Sequence, residues 1–295
     1  MGLNDITLWT AVITPMNSDS SVDYPSLEKV LRLQDEANNG ILILGSTGEA
    51  LNLDEDEKKD ILNFTLGLGL RNPIMCGVGG VNMRETLNWV SYLETLKLDA
   101  YLMVTPMYAK PGTMGQYEWF KALMDRSTRP VMLYNVPGRT GGELSYKTVE
   151  MLRDHKNFWA IKEASGSPEK FAKYVSACSG KGKVFSGDDG LMPDYAPLGA
   201  YGLVSVAGNS WPKETNLFVK KCLNNTLGSD EKMWKNSCNS LFLASNPVPV
   251  KALMNATGVI KNNTMRLPLD ARDLADVAPI MECDRMVKQW YANNN

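Results

Sequence analysis

Two apolar runs indicate the architecture of this chain: PVMLYNVP at residues 130–137 and NFWAIKEA at residues 157–164. Both runs are short and apolar on both faces, which is typical of strands in a parallel sheet that is covered on both sides. The segment between them, residues 145–153, follows the pattern of a helix. A strand, a helix and a second strand in this order predict one βαβ unit.

The same unit recurs along most of the chain. Apolar runs begin about every 28 residues, which is about the length that a strand, a helix and two turns need. The other runs start near Leu8, Gly40, Pro73, Asp99, Lys183 and Tyr201. The other predicted helices span residues 25–38, 54–70, 82–96, 115–126, 167–177 and 212–223. Eight strands alternating with helices predict an α/β fold, a closed (β/α)8 or TIM barrel, rather than an open doubly wound sheet, which usually has fewer strands.

The pattern changes after residue 225. Three segments there predict helices with no strand between them, at residues 231–243, 249–257 and 271–292. We therefore expect a catalytic barrel domain over residues 1–225 and a C-terminal helical extension over residues 226–295. The extension is expected to cover the barrel and to contribute to an oligomer interface.

Composition excludes several classes of protein. The chain has 31 Lys and Arg against 33 Asp and Glu, a net charge of −2, so a nucleic-acid or membrane-surface partner has no electrostatic basis. Five scattered cysteines argue against a disulfide framework and a zinc knuckle, and favour free thiols in a reducing compartment, the cytoplasm. No apolar run approaches the length of a membrane span, and no secretion signal is visible.

Cofactor and metal sites are also not indicated. The only histidine, His155, lies in a polar stretch, which argues against a histidine-based metal site and a Ser–His or Cys–His hydrolase. The loop GVGGVN at residues 77–82 has Asn82 where a dinucleotide-binding loop has its third glycine. The adjacent Asp188 and Asp189 favour a turn or capping role over a metal site. We expect a protein without a metal or an organic cofactor.

Lys162 is the first candidate for chemistry, because barrel active sites gather at the C-terminal ends of the strands. It follows four apolar residues, FWAI at 158–161, with no polar residue among them. If its side chain points into the barrel, desolvation favours the neutral amine, which can form a Schiff base with a ketone or aldehyde. Alternatively, Lys162 leaves the strand for solvent or pairs with Glu163. Alternation along a strand means that Lys162 and Glu163 cannot both point inward.

Two further strand ends carry groups that suit such chemistry. Tyr134 closes the neighbouring strand and could move the protons that Schiff-base formation requires, or could be a packed aromatic. The turn Ser46-Thr47-Gly48 is expected to lead into a helix N-terminus, where backbone N–H groups can hold a carboxylate. Alternatively, the turn is a simple helix cap with Glu49 in the first turn. Arg139 could bind a second carboxylate through two hydrogen bonds; alternatively, it is an ordinary surface arginine.

Four motifs, taken together, resemble one superfamily. They are GSTGE at 45–49, TPMY at 105–108, YNVPGRTG at 134–141 and IKEASG at 161–166. Their order is similar to that of the pyruvate-dependent class I aldolases, the N-acetylneuraminate lyase superfamily, and within it to the dihydrodipicolinate synthase family. The resemblance runs from about Trp9 to Asn209, and the helical tail also fits.

The resemblance implies a role for each catalytic candidate. Lys162 would be the Schiff-base lysine for pyruvate, and Tyr134 the proton donor and acceptor. Ser46 and Tyr108 would complete the proton relay, with Tyr108 reaching in from a neighbouring subunit. Many relatives carry Thr where this chain has Ser46, and serine keeps the hydroxyl but is less restrained at χ1.

The resemblance also implies the substrates and the reaction. Thr47 would bind the pyruvate carboxylate, the Val204 backbone would lie at the same pocket, and Arg139 would hold the carboxylate of L-aspartate-4-semialdehyde. The lyase would condense the two substrates in the diaminopimelate and lysine pathway, as a homotetramer or dimer. Lysine feedback is expected to be weak or absent, because family members that lysine inhibits typically carry His, His, Asn and Tyr at the positions of Glu55, Lys58, Val81 and Met107.

Two alternatives stay open. An N-acetylneuraminate lyase or a 2-keto-3-deoxy-sugar-acid aldolase would use Lys162 and Tyr134 as well, but Arg139 favours a partner with a short carboxylate-bearing chain. A non-catalytic barrel that binds a keto acid is the alternative from a different class.

Overall fold

A computed structural model describes residues 2–295 of the chain. Eight strands follow one another, β1 to β8, around a closed barrel, and the strand pairs with a defined register are parallel. The predicted (β/α)8 fold is confirmed, and each strand begins within one residue of its predicted start. The strands are β1 (Leu8–Ala11), β2 (Gly40–Ile43), β3 (Ile74–Val78), β4 (Ala100–Val104), β5 (Val131–Asn135), β6 (Phe158–Glu163), β7 (Lys183–Ser186) and β8 (Gly202–Ser205).

Local signals in the sequence set where the helices begin. The Asp23 carboxylate accepts a hydrogen bond from the Ser26 N–H at 3.1 Å and caps α1, whose first turn contains a proline. Asn82 caps α3 by accepting from the N–H groups of Arg84 and Glu85. The helices up to residue 225 are α1 (Tyr24–Glu36), α2 (Glu55–Gly67), α3 (Met83–Leu93), α4 (Thr113–Arg126), α5 (Pro137–Thr140), α6 (Tyr146–Leu152), α7 (Pro168–Cys178), α8 (Met192–Tyr195) and α9 (Pro212–Leu223).

Three helices follow residue 225, as predicted: α10 (Glu231–Ser240), α11 (Val248–Ala256) and α12 (Ala278–Asn294). The predicted start of the last helix at residue 271 is wrong, because residues 271–273 form only a short 3-10 turn and α12 begins at Ala278. Pro279 explains the difference. Proline lacks the N–H that a helix interior needs and is tolerated only in the first turn.

The described chain forms two compact units. One runs to Pro73 and resumes at Val204, and the other covers Ile74–Leu203. In the first unit, aromatic rings join α9, α10 and α12: Trp234 stacks on Phe218 at 4.3 Å between ring centres and meets Trp290 edge-on at 5.0 Å. The predicted division into residues 1–225 and 226–295 stays a prediction. Within residues 2–295, no helix combines the length and the apolarity needed to cross a bilayer.

Candidate active site

Lys162 and Tyr134 lie side by side in the second unit. Tyr134 on β5 is in register with Lys162 on β6, so both side chains leave the sheet on the same face. The Lys162 Nζ atom lies 4.3 Å from the centre of the Tyr134 ring. Lys162 is only 5% exposed and Tyr134 only 6%, which places an amine next to a phenol in a nearly dry setting.

A glycine makes room for Lys162 on the other side. Gly187 follows β7, and its N–H donates to the Glu163 carbonyl. A Cβ atom at this position would lie 2.9 Å from Lys162 Cε and 2.6 Å from the Ala164 side chain. Any larger residue at position 187 would therefore displace the lysine or the chain beside it.

Glu163 faces away from Lys162 and is bound by other groups. Its carboxylate accepts hydrogen bonds from Asn135 Nδ2 at 2.6 Å and from the Ser165 N–H at 3.0 Å. Asn135 in turn accepts from the Leu144 N–H at 2.8 Å. Burial raises the pKa of Glu163 above its ordinary value. This network ties together the ends of β5 and β6, the strands that carry Tyr134 and Lys162.

Asp188 is a second carboxyl group close to Lys162. Its Oδ2 atom accepts from the Gly166 N–H at 3.2 Å, and its own N–H donates to Ser186 Oγ at 3.1 Å. Burial raises the pKa of Asp188 to about 6, against the opposing effects of the Gly166 hydrogen bond and the Lys162 charge. The hydrogen bonds fit the turn role predicted for Asp188. Within residues 2–295, no cluster of three or more His, Cys, Asp or Glu side chains could hold a metal ion.

Tyr108 and Arg139 lie on loops of the same unit. Tyr108 has a φ of 65°, in the left-handed region that costs an L-residue about 1–2 kcal/mol, and its N–H donates to the Thr140 carbonyl. Its side chain is 93% exposed, so it contacts little of its own chain. Arg139 is exposed on the short helix α5, which opens with Pro137.

The turn at residues 45–49 belongs to the first unit. Its backbone is closed by hydrogen bonds from the Gly48 N–H to the Gly45 carbonyl and from the Glu49 N–H to the Ser46 carbonyl. The prediction that this turn leads into a helix N-terminus is wrong. Glu49 takes a left-handed φ of 54°, a 3-10 turn at residues 50–52 follows, and α2 begins only at Glu55. A left-handed residue cannot continue a right-handed helix, so the turn and the helix are separate.

Thr47 and Ser46 differ in their surroundings. The Thr47 side chain is buried, and its Oγ1 atom accepts a hydrogen bond from Asn246 Nδ2 at 2.9 Å. Ser46 is half-buried. Val204, on β8, is completely buried.

Sequence reasoning missed Asn246 and the partner of Glu49. Glu49 forms an ion pair with Lys251 in which both side chains are 0% exposed, and the Glu49 side chain makes no capping hydrogen bond to the 3-10 turn that follows it. Asn246 and Lys251 precede or lie on α11, about 200 residues further along the chain, and no motif marks them. Only Lys251 carries a chemical signal, because a lysine in the apolar helix VPVKALMNA (residues 248–256) needs a buried partner.

Comparison with known proteins gives the family. The sequence profile of the Dihydrodipicolinate synthetase family matches residues 6–277. The chain belongs to that family. It is 45% identical to 4-hydroxy-tetrahydrodipicolinate synthase of Francisella philomiragia, over 97% of both chains, and 44% identical to the enzyme of that name of Wolbachia pipientis wMel, over 96% of both. The predicted family and enzyme class are confirmed.

A solved structure of the same family also matches. The chloride-inhibited dihydrodipicolinate synthase of Acinetobacter baumannii, complexed with pyruvate, superposes with a TM-score of 0.90 at 32% identity, covering 96% of this chain and 99% of the other. The roles of individual residues in this chain stay predictions.

Proposed function

We propose that this chain is a 4-hydroxy-tetrahydrodipicolinate synthase, which condenses pyruvate with L-aspartate-4-semialdehyde through a Schiff base on Lys162. The observation that carries the proposal is the nearly buried amine of Lys162 beside the Tyr134 ring, in a member of the dihydrodipicolinate synthetase family. The relatives named for this synthase extend over nearly the whole chain.

The Lys162 amine attacks the keto carbon of pyruvate to give a carbinolamine, which loses water to form an imine. The protonated imine then accepts electrons as a methyl proton leaves, which gives an enamine. The enamine carbon attacks the aldehyde of the second substrate, and the aldehyde oxygen takes up a proton to become a hydroxyl. The amine of the second substrate then attacks the imine carbon, which closes the ring and releases Lys162.

Several of these steps move a proton, and in this proposal Tyr134 carries it. Its phenol is attached to the ring beside Lys162 Nζ. Ser46 and Tyr108 complete the relay in this proposal, which carries their roles over from the family motifs. The exposure of Tyr108 fits a side chain that serves a neighbouring subunit.

The substrate carboxylates need their own partners. Thr47 binds the pyruvate carboxylate and the Val204 backbone lies beside it, whereas Arg139 holds the carboxylate of aspartate semialdehyde. The product supplies diaminopimelate and lysine synthesis. We place the enzyme in the cytoplasm, as a homotetramer or a dimer, and the five buried free thiols support a reducing compartment.

A substrate panel separates this function from a sugar-acid lyase. With pyruvate fixed and the aldehyde varied, aspartate semialdehyde should be turned over and sugar aldehydes should not. The opposite preference would assign the chain to a sugar-acid lyase. Borohydride reduction with pyruvate separates both enzymes from a non-catalytic binding barrel, because only a Schiff base leaves a covalent adduct.

A further inference from the structure

The turn that carries Ser46 and Thr47 has an unfavourable backbone. Leu44 and Glu49, on either side of the turn, both take left-handed φ values, 55° and 54°. Neither residue is a glycine, so both conformations must be held by surrounding contacts. One such contact is made by Thr14, three residues after the end of β1. Its Oγ1 atom donates a hydrogen bond to the Gly48 carbonyl at 2.7 Å.

The other contacts come from the C-terminal part of the chain. Glu49 pairs with Lys251, and its second carboxylate oxygen accepts from the Arg266 N–H at 3.0 Å. Lys251 also donates to the Thr264 carbonyl at 2.9 Å. A buried ion pair is better held when further hydrogen bonds engage its partners, and here Glu49 and Lys251 each make one more. Glu49 is thereby fixed to α11 and to the loop that follows it.

Asn246 acts directly on the Thr47 hydroxyl. A hydroxyl has one proton to donate and lone pairs to accept with. Because Asn246 Nδ2 donates to Thr47 Oγ1 at 2.9 Å, it occupies a lone pair and leaves the hydroxyl proton for another acceptor. A carboxylate accepts hydrogen bonds only, so it requires a hydroxyl that is turned to donate.

We propose that Asn246 is a positioning residue, which turns the Thr47 hydroxyl into a donor for the substrate carboxylate, while the Glu49–Lys251 pair holds the turn in place. This inference rests on the proposed function, because it takes pyruvate as the ligand of Thr47. It gives the segment after residue 225 a part in substrate binding in addition to packing.

The test is a double-mutant cycle between Asn246 and Thr47, measured on the full-length enzyme. Asn246→Ala should raise the KM for pyruvate about tenfold, with a smaller change in kcat, because a hydrogen bond to a charged group is weakened. Thr47→Val should raise this KM at least as much. The double variant should match Thr47→Val alone, since Asn246 acts only through the hydroxyl.

Two more variants separate positioning from folding. Asn246→Asp keeps the size but only accepts, so it should turn the Thr47 proton away from the substrate and raise the KM at least as much as alanine does. Asn255→Ala removes a similar hydrogen bond on α11, to the Lys261 carbonyl at 2.8 Å, and should leave the KM within about twofold of wild type. Melting temperatures of all variants show whether stability changes in parallel.

An unchanged pyruvate KM in Asn246→Ala or Asn246→Asp, or a double variant whose effect is the product of the two single effects, would overturn the positioning role alone. Wild-type protein that forms no borohydride-stable adduct with pyruvate would overturn both this role and the proposed function.

Discussion

Lys162 and Tyr134, the residues proposed to carry the chemistry, take their positions from one ordinary strand pair. Because the two residues are in register on β5 and β6, their side chains are set beside each other by the sheet itself. Gly187 keeps the space next to the lysine open. The positions of Lys162 and Tyr134 depend on strands rather than on loops, which suits the covalent intermediate that we propose.

Replacing Tyr134 with phenylalanine should lower kcat by a factor of about 100 or more, because the phenol is the proposed proton carrier. The ring remains, so the KM for pyruvate should change much less. Steady-state kinetics with both substrates measure the effect. Tyr146→Phe is the matched control, since Tyr146 packs on Tyr174 at 4.6 Å between ring centres and has no proposed role in proton transfer. Full activity in Tyr134→Phe would remove this residue from the mechanism.

Asp188 should make stability depend on pH. Its pKa is raised by burial from 3.8 to about 6, so the folded chain holds this proton more tightly than the unfolded chain does. The contribution of Asp188 to the free energy of unfolding is therefore most favourable below about pH 4. It falls as the pH rises to about 6, and above that pH it no longer changes. Asp188→Asn removes this titration.

The stability gained by Asp188→Asn, relative to wild type, should accordingly be larger at pH 7 than at pH 4.5. Urea unfolding of both proteins across this range measures it. A constant difference between the two proteins at all pH values would show that the carboxyl group titrates normally.

Sequence patterns predict which residues lie together on adjacent strands, but not which residues the segment after residue 225 contacts. The apolar runs place Tyr134 and Lys162 at neighbouring strand ends, and alternation puts Lys162 and Glu163 on opposite faces, as found. Asn246 meets Thr47 from 199 positions away, with no periodicity to link them. Such a pair can be found only once the chain is folded.

At the scale of an element, the turn at residues 45–49 is held by partners far along the chain. Lys251 is fully buried, and burial lowers its pKa, whereas the Glu49 carboxylate acts in the opposite direction. Lys251→Met would leave the Glu49 charge buried without its partner, which should cost about 3–5 kcal/mol of unfolding free energy. The double variant Glu49→Gln with Lys251→Met should recover most of that loss, because neither residue is then charged.

Urea unfolding of the single and double variants measures both effects. Lys121→Met is the control: it breaks an exposed ion pair with Asp125 and should cost less than about 1 kcal/mol. Equal destabilisation in the Lys251→Met variant and the double variant would mean that charge pairing is not what Lys251 contributes.

The helices illustrate which boundaries a sequence can give. The start of α1 follows from its Asp23 cap and its proline, and α9 has the predicted bounds, 212–223. The predicted start of the last helix at residue 271 is wrong, because Pro279 fits only the first turn of a helix and α12 therefore begins at Ala278. The turn after β2 differs from its prediction because no local sequence signal indicates a left-handed φ at Glu49, whose side chain is bound in a buried ion pair with Lys251.

For the molecule as a whole, the family resemblance predicts a regulatory difference. By that resemblance, relatives that lysine inhibits carry other residues at the positions of Glu55, Lys58, Val81 and Met107, so we expect this chain to bind lysine weakly or not at all. Glu55 is engaged with Lys59 at 2.7 Å, and Val81 presents an exposed apolar side chain instead of an amide. Initial rates at increasing lysine should change little. Strong inhibition at low lysine concentrations would show that another set of residues binds the effector.

The proposed reaction depends on one covalent event, which mass spectrometry can observe. The chain is incubated with pyruvate, reduced with borohydride and digested, and the peptides are compared with those of the Lys162→Ala variant. We expect one added reduced pyruvate, on the peptide that contains residue 162, in the wild type only, together with loss of turnover in the variant. An adduct on a different lysine, or a Lys162→Ala variant that still condenses pyruvate with aspartate semialdehyde, would refute the Schiff-base mechanism proposed for this protein.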